Sequence, residues 1–221
     1  MTQEDQQQEK GTSAQDSSGS SNLKQAAPQA SSRTQLLVTT ALLTALVFVV
    51  TRFGGFEVPM PPFGSQWLNL GDTSIAASAL LLGHPLAAFA GGVGSALSNL
   101  TSAPTIMIYA PATLLIKGSM GYVLYAFAKK GKFSWFAAGV FLAELIMVVG
   151  YATYLFFLLY FGVVGGDSSA TALAGTLATI PANLIQAGVN FVLALLLFVP
   201  IMAIRKALWG GGTAANPATG A

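Results

Sequence analysis

Residues 74–116 contain no Asp, Glu, Lys or Arg, and neither do residues 34–51. Runs of that kind constrain the fold more than any other feature of the chain. A soluble domain carries about 25% charged residues. This chain carries 8%, against 53% hydrophobic, so it cannot cover itself with a polar surface, and its solvent is read as lipid. Crossing a bilayer takes roughly 20 helical residues, and the uncharged segments divide on that scale. Residues 34–51, between Arg33 and Arg52, form a first span. Gly83-His84-Pro85 and the region of Ser102-Ala103-Pro104 then break the long run. The breaks predict a short helix over 72–82, a fuller one over 85–101 and a fourth over 110–128. A fifth follows over 133–161 and a sixth over 174–204. The expected fold is an all-α integral membrane protein, a compact bundle of six transmembrane helices.

Charge sets the expected orientation. With the N-terminus inside, Lys10, Lys24, Arg33, Lys129, Lys130, Lys132, Arg205 and Lys206 are cytoplasmic, and only Arg52 is external. Six spans return the C-terminus to the same side, so both termini are expected in the cytoplasm. Residues 1–34 are polar and too poor in apolar residues to bury a core, which predicts a disordered tail. That stretch has no apolar h-region of a signal peptide. Residues 35–207 are the membrane domain, and 208–221, ending GGGTAANPATGA, form a second flexible tail. The chain has no cysteine, which excludes thiol chemistry and disulfides. Its single histidine, His84, excludes a multi-histidine metal site within one chain. A net charge of +2 is too small to suggest nucleic acid.

Several polar groups fall inside the spans, where they are costly and point to function. Lys117 and Glu144 are equidistant from the midpoint of the Lys129–Lys132 turn, and in an antiparallel hairpin that means equal depth. They are either a structural ion pair or ligand contacts. Asn183, Gln186 and Asn190 share one helical face. Tyr151 shares a face with Glu144, and Tyr154 is one turn further out. Trp67, Asn69, Asn99 and Tyr109 lie at the outer ends of their segments. Interhelical hydrogen bonds would explain one or two of these groups; a cluster drawn from five helices is read as a pocket open to the outside. The loop Gly54–Leu70, with Phe56, Phe63 and Trp67 among Pro and Gly, reads as a lid over it. Asp72, heading the short helix, is read as an N-cap, with ligand contact as the alternative. On the first helix Ala41 and Ala45 lie one turn apart, either packing within the chain or docking another helix. Ala87, Gly91 and Ser95, with Ala88, Gly92 and Ala96, make the third helix a tight packing surface.

NLGDTSIAASALLLGHPLAAFAGGVGSALSNL, residues 69–100, followed by YAPATLLIKGSMGYV, residues 109–123, resembles the substrate-binding S components of energy-coupling factor (ECF) vitamin transporters. The similarity covers residues 35–207 and is closest to the riboflavin-type branch, which includes hydroxymethylpyrimidine and pyridoxine carriers. The resemblance implies six helices and capture of a vitamin or precursor in an outward-facing pocket. It also implies assembly with a membrane T subunit and two cytoplasmic ATPases, in the plasma membrane of a prokaryote. A first-helix Ala-xxx-Ala motif meets the T subunit in such proteins, and Ala41 and Ala45 match it. Many relatives have Asp where this chain has Asn99, so the ligand can differ here. No GxxxxGK[ST] stretch is present, so ATP would be used by partner subunits and the chain itself needs no cofactor. A Tyr or Trp face would stack on a planar ligand, and Asn and Gln would read its edges. Lys117 could meet a phosphate or phenolate. A stand-alone secondary transporter or channel is the alternative. An intramembrane enzyme is a weaker one, because a Ser/His dyad would depend on His84 at the cytoplasmic turn, and no GxSxG elbow exists.

Overall fold

The computed structural model describes residues 33–59, 65–165 and 168–209, without the side chains of 57–59 and 65–67. Most of both expected tails and part of the 54–70 lid lie outside the described residues. Helix α1 (Arg33–Phe53) leads into a hairpin of β1 (Gly55–Pro59) and β2 (Ser65–Asn69). Then come α2 (Gly71–Leu82), α3 (Leu86–Leu100), a single turn α4 (Pro104–Met107), α5 (Ala110–Ala128), α6 (Phe133–Tyr160), α7 (Ser169–Leu196) and α8 (Phe198–Trp209). Residues 40–209 belong to one compact unit, and 33–39 contribute the opening turns of α1.

Helix α2 stops where the sequence says it should. Gly83 adopts φ 52°, and its N–H bonds Ala79 O at 3.1 Å. That left-handed conformation favours glycine. The Arg205 guanidinium also fills the space a Cβ would need there. The turn continues through His84, whose Nδ1 accepts the Leu86 N–H at 3.2 Å. Burial lowers the His84 pKa below its ordinary value, favouring the neutral imidazole that can accept this bond.

Two expectations change. The helix expected over 174–204 is two helices, α7 and α8, meeting at Leu197. Pro200 has no N–H for the Leu196 carbonyl, so the ladder breaks just ahead of it. Helix α7 also begins five residues earlier than expected, because the Ser168 hydroxyl accepts the Thr171 N–H and caps it. The 54–70 loop is likewise more than a lid of coil. Its two strands pair antiparallel with Gly55 opposite Asn69 and Glu57 opposite Trp67.

Three helices among the described residues, α1, α6 and α7, are long and apolar enough to cross a membrane. Helix α5 has 19 residues but carries Lys117, and α2 and α3 are shorter. The solvation pattern is that of a membrane protein. Leu115 is 74% exposed and Val199 73%, whereas Lys117 is 3% exposed and Asn190 fully buried. Apolar side chains face out, and polar ones face each other inside.

Glycine lets the helix backbones touch. A Cβ on Gly92 of α3 would stand 2.7 Å from Leu114 O of α5. One on Gly94 would stand 2.7 Å from Thr44 O of α1, and one on Gly91 2.9 Å from Ile75 of α2. Helix α3 is thus the packing hub that its small residues predict.

Candidate functional site

Asn69 closes β2 and introduces α2. Its Oδ1 accepts the Gly71 N–H at 2.9 Å, a local turn that starts the helix. Its backbone N–H donates to Gln186 Oε1 at 3.2 Å, and its carbonyl accepts Asn190 Nδ2 at 2.9 Å. Asn190 Nδ2 also donates to Gln186 O at 3.0 Å. Asn190 Oδ1 accepts both the N–H and the hydroxyl of Thr73, at 3.0 and 2.7 Å. Two donors and two acceptor sites exhaust a primary amide. Asn190, expected to read a ligand, has its amide saturated within the chain and clasps α7 to the start of α2.

Asp72 is not the N-cap expected of it. The cap position of α2 is Leu70, with no side-chain cap bond. The Asp72 carboxylate makes a buried ion pair with Lys117 of α5 and accepts Gln186 Nε2 at 3.2 Å. Its place in the first turn still puts negative charge at the positive end of α2. The charge partner of Lys117 is therefore Asp72, which the symmetric placement of Lys117 and Glu144 does not reveal. Glu144 is buried on α6, and its Oε2 has no hydrogen-bond partner among the described residues. The Lys117 ammonium also stands 5.4 Å from the centre of the Tyr151 ring, in cation–π range.

In front of this buried layer lies a cavity of about 200 Å³. Asn69, Asn99, Ile106, Tyr109, Met147, Tyr151, Leu155, Thr179, Asn183 and Gln186 line it. Six of these, Asn69, Asn99, Tyr109, Tyr151, Asn183 and Gln186, are residues the sequence singles out. Lys117, Glu144 and Asn190 do not line the cavity, and the Trp67 side chain lies outside the described residues.

The walls are braced by the chain's own polar groups. Asn99 Nδ2 donates to Thr113 Oγ1 at 2.7 Å, and Thr113 Oγ1 pairs with the Tyr151 hydroxyl at 2.9 Å. Tyr109 meets Tyr154 edge-on at 5.5 Å between ring centres and Tyr151 at 6.4 Å. The Tyr154 hydroxyl donates to Ile108 O at 2.7 Å, tying α6 to the turn before α5. Lys117 and Asp72 act behind this surface: one packs against Tyr151, and the other holds Gln186.

Sequence reading missed Ile106, Met147, Leu155 and Thr179. Three of them extend stripes already in view. Thr179 lies one turn before Asn183 on α7, and Met147 and Leu155 flank Tyr151 at four residues on α6. Ile106, on the single turn α4, had no periodicity to mark it.

Ala41 and Ala45 are exposed, whereas Leu43 and Val47 of the same helix are buried. The Ala-xxx-Ala face is thus left uncovered by the described residues.

Comparison with known proteins agrees with this architecture. A solved structure described as the S component of a bacterial ECF transporter superposes with TM-score 0.60 at 21% identity. The match covers 79% of this chain and 99% of that one. A Pyrococcus woesei protein, described only as an uncharacterized protein in gap 3'region, is 35% identical over 98 residues. That alignment takes in 44% of this chain and 64% of the relative's length. The family described as ECF-type riboflavin transporter, S component, matches residues 31–206. With that match over most of its length, the chain belongs to the ECF-type riboflavin transporter S component family, a family of transporter subunits.

Proposed function

We propose that the chain is the substrate-capture subunit of an ECF-type importer. It binds a small vitamin or vitamin precursor in the cavity beside the β1–β2 hairpin and hands it inward. A membrane T subunit and two ATPases would supply the energy, so ATP acts on the partners and no cofactor resides in this chain. The observation that carries the reading is the cavity itself. Amides and phenols from β2, α3, α6, α7 and the turn before α5 converge on one space, although each costs free energy in lipid.

The membrane arrangement proposed with it has six crossings: α1, α2, α3, α5, α6, and α7 continued by α8. The Lys and Arg asymmetry supports cytoplasmic termini in a prokaryotic plasma membrane. Helices α2 and α3 need not reach both surfaces, because the hairpin and α4 extend them at one end. The exposed Ala41 and Ala45 face suits close approach by a T-subunit helix.

The test is uptake of radiolabelled vitamins by cells expressing the chain with and without T subunit and ATPases. Uptake is expected only with the partners, while the purified chain binds ligand alone. Robust uptake by the lone chain would replace this reading with a secondary transporter or channel. Ala41→Leu/Ala45→Leu is expected to abolish assembly and uptake while ligand binding persists. Lost binding with intact assembly would refute that division of labour.

A further inference from the structure

The cavity lining contains amides, phenols, one hydroxyl and three apolar side chains. It has no Asp, Glu, Lys, Arg or His among the described residues. Lys117, the cation nearby among the described residues, is committed to Asp72 and is 3% exposed. An anionic ligand group entering this space would lose its hydration and find no counter-charge, and a cationic group would fare no better. Amides suit a different partner. A primary amide has two donor and two acceptor sites, and the bonds of Gln186 to Asn69 and Asp72 and of Asn99 to Thr113 use only some of them, so Asn99, Asn183 and Gln186 can match a ring edge that alternates donors and acceptors. Tyr109 and Tyr151 supply aromatic surface, and Met147 and Leu155 supply polarisable and apolar contact.

Volume adds a second limit. A cavity of roughly 150 Å³ accommodates benzene. Pockets for drug-sized ligands run to roughly 300–1,000 Å³. At about 200 Å³ this cavity lies between them, room for one substituted ring and too little for a fused three-ring system with a side chain.

We infer that the ligand is an uncharged, single-ring heteroaromatic with hydrogen-bonding substituents, and that its phosphate esters and three-ring flavins are excluded. The inference rests on the substrate-capture reading and narrows it.

The experiment is calorimetric titration of the purified full chain with matched probes. 4-Amino-5-hydroxymethyl-2-methylpyrimidine and pyridoxine are each compared with their phosphate monoesters, which isolates charge. Riboflavin isolates size. A neutral one-ring probe is expected to bind at least ~100-fold more tightly than its phosphate and than riboflavin, the uncompensated charge and the misfit each being costly. Mass spectrometry of the small molecule that co-purifies extends the test beyond the panel, and a neutral one-ring compound is expected there. A phosphate ester binding as tightly as its parent overturns the charge argument. Riboflavin binding as tightly, or co-purifying in stoichiometric amount, overturns the size argument. Both outcomes leave substrate capture standing. A chain that carries and binds no small molecule, yet transports solute without an ATPase, removes the capture reading and this inference with it.

Discussion

Lys117→Met should cost about 3–5 kcal/mol of stability, enough to abolish ligand binding in most preparations. The substitution leaves the Asp72 carboxylate buried without its cation. It also strips the ammonium from the face of Tyr151, a cavity wall. Removing both charges is a different matter, because an apolar or neutral pair of similar volume carries no uncompensated ion. Lys117→Met/Asp72→Asn should therefore recover most of the loss, and the new Asn keeps an acceptor for Gln186 Nε2. Lys117→Met/Glu144→Gln should not. Thermal unfolding of the three variants in detergent, followed by intrinsic fluorescence, reads the pairing directly as a double-mutant comparison. Rescue through Glu144 in place of Asp72 would mean that the ion pair has been assigned to the wrong carboxylate.

The α3–α5 contact is the second place where a small change should have a large effect. Gly121→Val puts a Cβ 2.5 Å from Ala87 O and 2.9 Å from Ala88 Cα. Both neighbours are backbone, so no side chain can swing aside and α3 itself must retreat. The expected cost exceeds about 3 kcal/mol, seen as loss of the monodisperse peak in gel filtration. Gly118→Ala on the same helix is the matched control. Its Cβ would meet Ala88 O at 3.6 Å, an ordinary contact, and alanine gains about 1 kcal/mol of helix propensity over glycine. Equal tolerance of the two substitutions would show that the helices are not in the close contact described.

Much of this arrangement is legible in the residues because lipid simplifies the problem. With charge nearly absent, each break in an apolar run carries information. The boundaries of α2, α3, α5 and α6 follow from Gly83, Pro85, the break at Ser102-Ala103-Pro104 and the lysine-rich turn at 129–132. Helical period then puts Asn183 with Gln186, and Tyr151 with Glu144, without knowledge of the fold. What period cannot supply is rotation between helices. Asp72 meets Lys117 across 45 residues of chain, and only the way α2 packs on α5 brings them together. The same limit applies to Asn190, whose surroundings period alone does not give. It shares a face with Gln186 but lies one turn deeper, where Thr73 and Asn69 saturate its amide. The split at Leu197 was hidden for another reason. Pro181 is carried inside α7, so Pro200, as a proline in an apolar run, was no firm sign of a break.

Helix α2 is a rod of 12 residues, about 18 Å long at 1.5 Å per residue. At one end Asp72 and Thr73 are bonded to Gln186, Asn190 and Lys117. At the other, Leu81 O accepts the Trp209 indole N–H at 3.0 Å, and Arg205 lies against Gly83. A rod this short does not bend between its ends. One short element thus ties the polar cluster behind the cavity to Arg205 and Trp209 of α8.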